Sequence, residues 1–449
     1  MGITAAFAAD TGTITITPPS GLDASATNTY KVYKVFDAFV NADDNTKVSY
    51  KLCSGDTLSA AMTAAGFSVD SAGNVSGPAS LNDAAIAAIA AYVTEADLVD
   101  TVSVTGTTAT ATKALGYGYY YITTSTGTVV TIDSNNNNPT VNDKNTVPGL
   151  DKKITNTNAE PNAAGMAGTI DEDGKKALAE LGKDVEYTAT ITVGKGAKGY
   201  EFHDKMGTGL TFKDGSVTVT ANPAISTENW YTIKDTPDTG DTLTITFVDG
   251  IAENTVITIK YIGTVNSDAL TIDTGKNTAR VDYGDENSNN HTPDSETNVY
   301  NAKLSVNKVD GSSQPLPGAG FIVKNADNKY YKNSNGVVTW VAEDQADIHT
   351  SGQDGVVPPF TGLVDGTYTL IEKTVPSGYN KAADSTFTIA AKDYNVNNLV
   401  QGKTVINNAG AELPSTGGIG TTIFYVVGSI MVVAAGVLLI TKKRMSREG

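Results

Sequence analysis

Apolar and polar residues alternate strictly over several short stretches of this chain. Val185, Tyr187, Ala189, Ile191 and Val193 are separated by polar residues, as are Leu243, Ile245 and Phe247, and then Ile257, Ile259 and Tyr261. Side chains on a strand point to opposite faces in turn, so a period of two predicts antiparallel strands with one buried face. Thr, Val, Ile and Tyr dominate, with Gly, Asn and Asp clusters between them, the chemistry of strands and turns. A different period appears near Asn82–Leu98, an Ala-rich stretch with Ile86 and Ile89 three apart. It predicts a helix packed on the first domain's sheet. A third pattern is the apolar run from about Thr421 to Ile440, followed by Lys442, Lys443, Arg444 and Arg447. Some twenty apolar residues at about 1.5 Å each span roughly 30 Å, the hydrocarbon thickness of a bilayer. The basic end stays cytoplasmic, which places the rest outside.

A chain of 449 residues is too long for one core and suggests about three domains. The breaks fall after the Asn135–Asn138 loop and before Pro148, and after the polar stretch Asp285–Thr297. They give a first domain over 10–146, a middle domain over 147–300, a third over 301–411 and a tail over 412–449. Residues 1–9 read as a signal-peptide remnant, with Ala6-Phe7-Ala8 as a small-x-small cleavage site and the true start upstream. The expected class is all-β, as tandem immunoglobulin-like sandwiches with a minor helix in the first domain and one C-terminal transmembrane helix.

Charge and chemistry narrow the function. A formal net charge of −17 leaves no basic face to neutralise phosphates, so nucleic acid is not an expected partner. Cys53 is the lone cysteine and excludes an intrachain disulfide, so domains outside the cell need another stabiliser. His203, His291 and His349 have no ligand spacing, and the acidic loops Asp171–Gly174 and Asp285–Glu296 read as solvated turns. No metal or other cofactor is expected. No hydrolase elbow, phosphate loop or dinucleotide fingerprint stands in a credible setting, so an anchored enzyme is disfavoured.

The tail carries the sharpest signal. Leu413-Pro414-Ser415-Thr416-Gly417 precedes the apolar run, and Pro414 locks φ and disfavours helix before it, presenting an extended peptide outside the membrane. Peptide, apolar run and basic end together resemble the cell-wall sorting signal of Gram-positive surface proteins, an LPxTG site cut by a transpeptidase, sortase. Further upstream stand Lys308-Val309-Asp310, Leu316-Pro317-Gly318-Ala319-Gly320-Phe321, the run from Gly366 to Glu372, and Pro376-Ser377-Gly378-Tyr379. They resemble the collagen-adhesin B-type, or SpaA-like, domain. Asp204-Lys205-Met206-Gly207-Thr208-Gly209-Leu210, followed by Asn277-Thr278-Ala279, resembles the second domain of backbone pilins. The chain thus resembles a major, or backbone, subunit of a sortase-assembled Gram-positive pilus, built from collagen-adhesin A- and B-type sandwiches.

The resemblance implies internal isopeptide bonds, each joining a Lys on the first strand of a domain to an Asn on the last. A lysine amine attacks only when neutral, and burial among apolar side chains favours the neutral form. The Asn carboxamide is the electrophile, and a buried, protonated Asp or Glu polarises it and moves protons. Ammonia leaves, and folding itself brings the groups together, in a single turnover without cofactor. In the third domain the match suggests Lys308, Asn407 and the promoting carboxylate Glu372, with Asn408 as the competing asparagine. In the middle domain it suggests Lys152, Asn277 and Asp204. Leu150, Lys152 and Ile154 share one strand face and Lys153 the other, and a slip of one residue exchanges them. The first domain shows no lysine on its opening strand Thr13–Thr17; Asn145 matches the asparagine of related pilins, without a visible partner.

The same resemblance implies polymerisation. Backbone pilins present a lysine in a YPKN-like motif at the end of the first domain. Here the stretch reads Val141-Asn142-Asp143-Lys144-Asn145-Thr146, with Asn-Asp in place of Tyr-Pro. Lys144 is therefore the implied intersubunit nucleophile, with Lys152 and Lys153 as rivals. A class C pilus sortase attacks the Thr416 carbonyl and releases Gly417 with the tail, and a lysine of another copy resolves the acyl-enzyme. A housekeeping sortase then passes the last subunit to peptidoglycan. The chain is in this reading a substrate and not an enzyme, a secreted cell-wall protein held transiently by its C-terminal helix. Minor pilins and host surface ligands are further candidate partners. The alternative is a minor or tip pilin, or a monomeric LPxTG-anchored adhesin.

Overall fold

A computed structural model describes residues 11–124, 128–158, 166–196, 198–270, 275–284, 290–390, 394, 399–410 and 419–446. The fold is β throughout, apart from short helices and the C-terminal one. The alternating runs become strands with the expected inner faces. Val185, Tyr187, Ala189 and Ile191 of the strand Asp184–Thr192 are fully buried, as are Ile257, Ile259 and Tyr261 of Val256–Val265. These two strands pair antiparallel over their whole length, Tyr187 opposite Tyr261.

The sheets group in order along the chain. In the first group the long strand Thr27–Val40 pairs with Gly118–Ile122, Val48–Leu52 and Leu98–Thr105, while Thr15–Thr17 lies parallel to Thr140–Asn142. The helix predicted over Asn82–Leu98 is shorter, Asp83–Tyr92, with Asn82 capping Ala85 N. It stops because Val93 is extended and Thr94 begins a separate turn, in which the Asp97 carboxylate accepts from the Thr94 backbone and hydroxyl. Ala88 and Ile89 pack against Tyr33, Val35 and Phe36 of the sheet.

The second group is a sandwich. One sheet holds Gly149–Asn156, Asp184–Thr192, Val256–Val265 and Leu210–Phe212. The facing sheet holds Lys176–Leu178, Ser295–Tyr300, Lys276–Tyr283, Glu201–Met206, Leu243–Phe247 and Tyr231–Ile233. In the third group Ala302–Asp310 runs between Val356–Leu363 and Val400–Asn407, the latter pairing parallel. A second sheet there includes Gly320–Lys324 and Gly366–Thr374. The helix Ile419–Met445 follows, and its segment Ile423–Met445 has a mean hydropathy of 2.6, long and apolar enough to cross a bilayer.

The second and third groups share one continuous apolar core, running from Ile154 to Leu399. At the seam Leu181 N donates to Gly362 O, Val338 N donates to Leu181 O, and Thr169 donates twice to the Asp365 carboxylate. Glu180 is fully buried there. It accepts from the Trp340 indole at 2.6 Å and from Met166 N at 3.0 Å. Burial pushes its carboxyl up to about 7, against the pull of those two N–H donors and the Lys183 charge. A carboxyl raised above its unfolded value favours folding while protonated, so this contribution fades as pH climbs from about 4.5 through 7. The melting temperature of wild type minus that of Glu180→Gln should accordingly be higher at pH 5 than at pH 8; equal differences would show that Glu180 does not titrate in this range.

Candidate functional site: two buried lysine, asparagine and carboxylate clusters

Strand register decides which lysine enters the core. Lys152 pairs with Ala189 and points between the sheets with Ile154, and it is fully buried; the Lys153 side chain is half-exposed and pairs with Asp151. Asp204 enters from the facing sheet and is also fully buried, with Lys152 Nζ donating to its Oδ2 at 3.0 Å. Asn277, fully buried too, stands on Lys276–Tyr283, whose Ala279 is opposite Asp204. The Tyr261 hydroxyl donates to Asp204 Oδ2, and Asn277 Nδ2 donates to that hydroxyl at 3.4 Å. Tyr187 stacks on Tyr261 with ring centroids 5.5 Å apart, and Phe202 meets it edge-on. Asp204 Oδ1 and Asn277 Oδ1 are buried without a hydrogen-bond partner among the described residues.

Burial dominates the electrostatics. Loss of water lowers Lys152 to about 8 despite the attraction of Asp204, and it raises Asp204 despite Lys152 and the hydroxyl of Tyr261. Both shifts favour the neutral pair, a free amine beside a carboxylic acid, over an ion pair that low polarity penalises. The arrangement can therefore supply a nucleophilic amine, a proton carrier and an amide carbon in one dry compartment.

The second cluster repeats the parts with different geometry. Lys308 is fully buried with Leu304 on the same face, and its Nζ donates to Val309 O at 2.8 Å and Val405 O at 3.3 Å. Burial lowers its pKa, with Glu372 and Asp310 pulling the other way. Lys308 stands opposite Val405 in the parallel register, and Asn407 lies two residues on, on the same face. Diagonal neighbours of this kind are within reach of a long side chain. Asn407 Nδ2 donates to Glu372 Oε1 at 2.7 Å, and Ala382 N holds the other carboxylate oxygen at 2.7 Å. Asn407 and Glu372 are buried, whereas Asn408 is exposed.

One expectation about strand order changes. Asn407 does sit on the last strand of its group, next to the first. Asn277 does not: the strand Ser295–Tyr300 follows and pairs with it. Lys152 and Asn277 accordingly stand on opposite sheets of the sandwich. The hydroxyl of Tyr261 was not singled out from sequence, although its inward parity was.

Lys144 lies apart from both clusters, exposed on the segment linking the first two groups. That segment is pinned on both sides. Asp143 accepts from Tyr30 at 2.9 Å and its backbone N donates to Thr17 O; Thr146 N donates to Lys195 O, and Lys195 N donates to the Thr146 hydroxyl at 2.6 Å. The Asn145 Oδ1 is buried with no partner among the described residues. Leu413, Pro414, Ser415, Thr416 and Gly417 lie outside the described residues.

Sequence spacing gave no hint of the carboxylates that gather at His203. Asp241 Oδ2 is 2.7 Å from its Nδ1 and Asp282 Oδ2 3.4 Å from its Nε2, with Glu201 and Asp238 each 3.9 Å away. Glu201, His203 and Asp238 could share an ion by proximity, but the Lys234 ammonium already pairs with both Glu201 and Asp238.

Comparison with known proteins bears on these sites. Residues 302–404 match the SpaA family, described as a prealbumin-like fold domain, and residues 406–446 match the LPXTG cell wall anchor motif. The chain carries a SpaA prealbumin-like domain and an LPXTG cell-wall anchor. The anchor, with its apolar helix, assigns the protein to the cell-wall surface after transient attachment to the membrane. Among solved structures it is similar to the T6 backbone pilin of serotype M6 Streptococcus pyogenes, at 22% identity over 84% of this chain and 80% of that one, TM-score 0.56. It is also similar to the Corynebacterium diphtheriae major pilin SpaA, at 13% identity over 88% of this chain and 100% of that one, TM-score 0.52. At these identities the likeness is one of fold, the fold of Gram-positive major pilins. No curated protein sequence matches the chain.

The contrast between adjacent lysines gives a test. Lys152→Ala strands Asp204 in the core and should cost about 3–5 kcal/mol in chemical denaturation. Lys153→Ala should stay within about 0.5 kcal/mol of wild type. Similar losses for the two variants would contradict the assigned register.

Proposed function

We propose that this chain is the backbone subunit of a covalent pilus. In this reading a class C sortase joins Thr416 of one copy to Lys144 of the next, and Lys152–Asn277 and Lys308–Asn407 amides reinforce each copy. The observation that carries it is the pair of buried lysine, asparagine and carboxylate clusters, in a chain that ends in an LPXTG anchor. Isolated buried lysines are rare because a desolvated ammonium is costly, and two such sites with the same three residue types have a shared chemical explanation. The similar SpaA pilin is described as a modular pilus assembly with stabilising isopeptide bonds, which supports the same reading here.

Each internal bond follows one course. The neutral amine attacks the Asn carbonyl carbon, the protonated carboxylic acid hydrogen-bonds the oxygen that gains charge, and the amide nitrogen leaves as ammonia. Asp204 serves this role for Asn277, and Glu372, which accepts from Asn407 Nδ2, is the carboxylate that promotes the Lys308–Asn407 bond. Polymerisation uses an exposed lysine instead. Lys144 is held on a segment fixed at both flanks, so its amine is offered in a defined place. Repetition of a head-to-tail contact gives an open filament rather than a ring. The domains behave as residues 10–146, 147–300 and 301–411, the first carrying the nucleophile and the last the sorting tail.

Three measurements test the reading. Intact mass of the mature protein should fall short of the sequence mass by about 17 Da per bond, one ammonia each, and Glu372→Ala should restore one increment and lower the melting temperature. Full mass in native protein would refute the internal amides. Wall extracts boiled in detergent should show a ladder of very large species that collapses on Lys144→Ala. A single band near monomer size in the wild type would indicate an anchored adhesin instead, and a ladder that survives Lys144→Ala would move the nucleophile elsewhere. Formation of the Lys152–Asn277 bond should also slow as pH falls below about 8, because the protonated amine has no lone pair to attack with.

A further inference from the structure

The two clusters differ in how the carboxylate reaches the leaving nitrogen. Glu372 touches it directly, with Asn407 Nδ2 donating to Oε1 at 2.7 Å. Asp204 is one methylene shorter, and Asn277 Nδ2 bonds instead to the Tyr261 hydroxyl at 3.4 Å, which in turn bonds Asp204 Oδ2. Asp204 Oδ2 also accepts from Lys152 Nζ at 3.0 Å. A continuous line of hydrogen bonds thus runs from the attacking nitrogen, through Asp204 Oδ2 and the Tyr261 oxygen, to the nitrogen that must depart. Its members Lys152, Asp204, Tyr261 and Asn277 are all fully buried, so solvent does not reach the line.

Resting on the isopeptide reading above, we infer that Tyr261 is a catalytic residue of the Lys152–Asn277 bond, the general acid that protonates the departing amide nitrogen. The amine nitrogen forms its bond to the Asn277 carbonyl carbon and gives one proton to Asp204 Oδ2. The Tyr261 hydroxyl turns its proton toward Asn277 Nδ2 and is replenished from Asp204 Oδ2. The carbon–Nδ2 bond breaks, and the amide nitrogen departs as ammonia. The amine loses one proton and the leaving nitrogen gains one, so Asp204 and Tyr261 end as they began and no oxidant or reductant is needed. An amide nitrogen is a poor leaving group until protonated, and in a compartment closed to bulk solvent the side chain in contact with that nitrogen is placed to deliver the proton. Tyr187, stacked on Tyr261, and Phe202 fix the ring so that its hydroxyl stays between the two partners. The third-domain cluster needs no such residue because Glu372 spans the distance alone.

The test is synthesis of the full chain in a cell-free system with detergent, followed over time by mass spectrometry of the two cross-linked peptides. In Tyr261→Phe the Lys152–Asn277 peptide should appear on the order of 10²-fold more slowly than in wild type, the usual scale of general acid catalysis. The Lys308–Asn407 peptide in the same sample should keep its wild-type rate and so report intact folding. Lys153→Ala, on the opposite strand face and outside the line of hydrogen bonds, should leave both rates unchanged. Equal rates in Tyr261→Phe and wild type would overturn the role of Tyr261 and leave the isopeptide reading standing. A wild type without the Lys152–Asn277 peptide would instead remove that reading. Should the Phe variant fail to fold, 3,5-difluorotyrosine at position 261 preserves shape and acidifies the phenol. A changed rate and shifted pH profile then support the relay, and an unchanged rate overturns it.

Discussion

A lysine amine sealed between two β-sheets has few options. Water cannot reach Lys152, so its charge must be matched by Asp204 or be given up. The surrounding aromatic shell of Tyr187, Tyr261 and Phe202 offers a low-polarity wall that makes giving it up easier than in water. Much else in the sandwich serves this constraint. The register of Gly149–Asn156 against Asp184–Thr192 chooses Lys152 over Lys153, and the pairing of Glu201–Met206 with Lys276–Tyr283 brings Asp204 and Asn277 to the same depth. An unreacted cluster of this sort is a standing cost to the fold. In the proposed reading, conversion to a neutral amide would remove the charge problem permanently, and stability and reactivity would have the same origin.

The third-domain cluster solves the same problem with different parts. Lys308 leans on the carbonyls of Val309 and Val405, while Glu372 is engaged with Asn407 and the backbone of Ala382. Parallel neighbours place Lys308 and Asn407 within one sheet, whereas Lys152 and Asn277 face each other across a sandwich. A tie within a sheet resists the peeling of one strand from its neighbour. A tie between sheets resists their separation. The two would stiffen the protein against different loads.

Much of this was legible in the sequence because it follows from a period of two. Once Leu150 and Ile154 are core, Lys152 between them must be core as well, and the same parity carries Lys308 with Leu304 and Glu372 with Leu370. The sandwich pattern of Val185 to Ile191 and Ile257 to Tyr261 was equally plain. The failures have physical reasons. Tyr261 reads as one more apolar position, since nothing local reveals that its hydroxyl meets an aspartate 57 residues away. The carboxylates around His203 come from two strands and the turn before Leu243–Phe247, so no spacing announces them. The helix near Asn82 was read too long because Ala-rich sequence continues to favour helix until Thr94 and Asp97 form a local capping box. The strand after Asn277 was concealed by a polar stretch that resembles a linker but contributes Ser295–Tyr300 to the sheet.

The position of that last strand matters for how a pulled filament would carry load. With the proposed bonds in place, tension entering beyond Asn407 crosses to Lys308 through the amide, and everything from 309 to 406 is bypassed. It then runs back along Ala302–Lys308 into the middle group. There it does not meet a covalent tie at once, because Asn277 precedes Ser295–Tyr300 instead of ending the group. Residues 278–300 therefore remain in the load path, and hydrogen bonds between Lys276–Tyr283 and Ser295–Tyr300, with the parallel partner Lys176–Leu178, must hold them. The seam beside them is bonded across to the third group through Leu181, Gly362, Trp340 and Glu180. The stretch that the proposed bonds would leave outside the covalent frame is thus the one that borders the core shared by the two groups, where burial and hydrogen bonds rather than an amide would keep it in place.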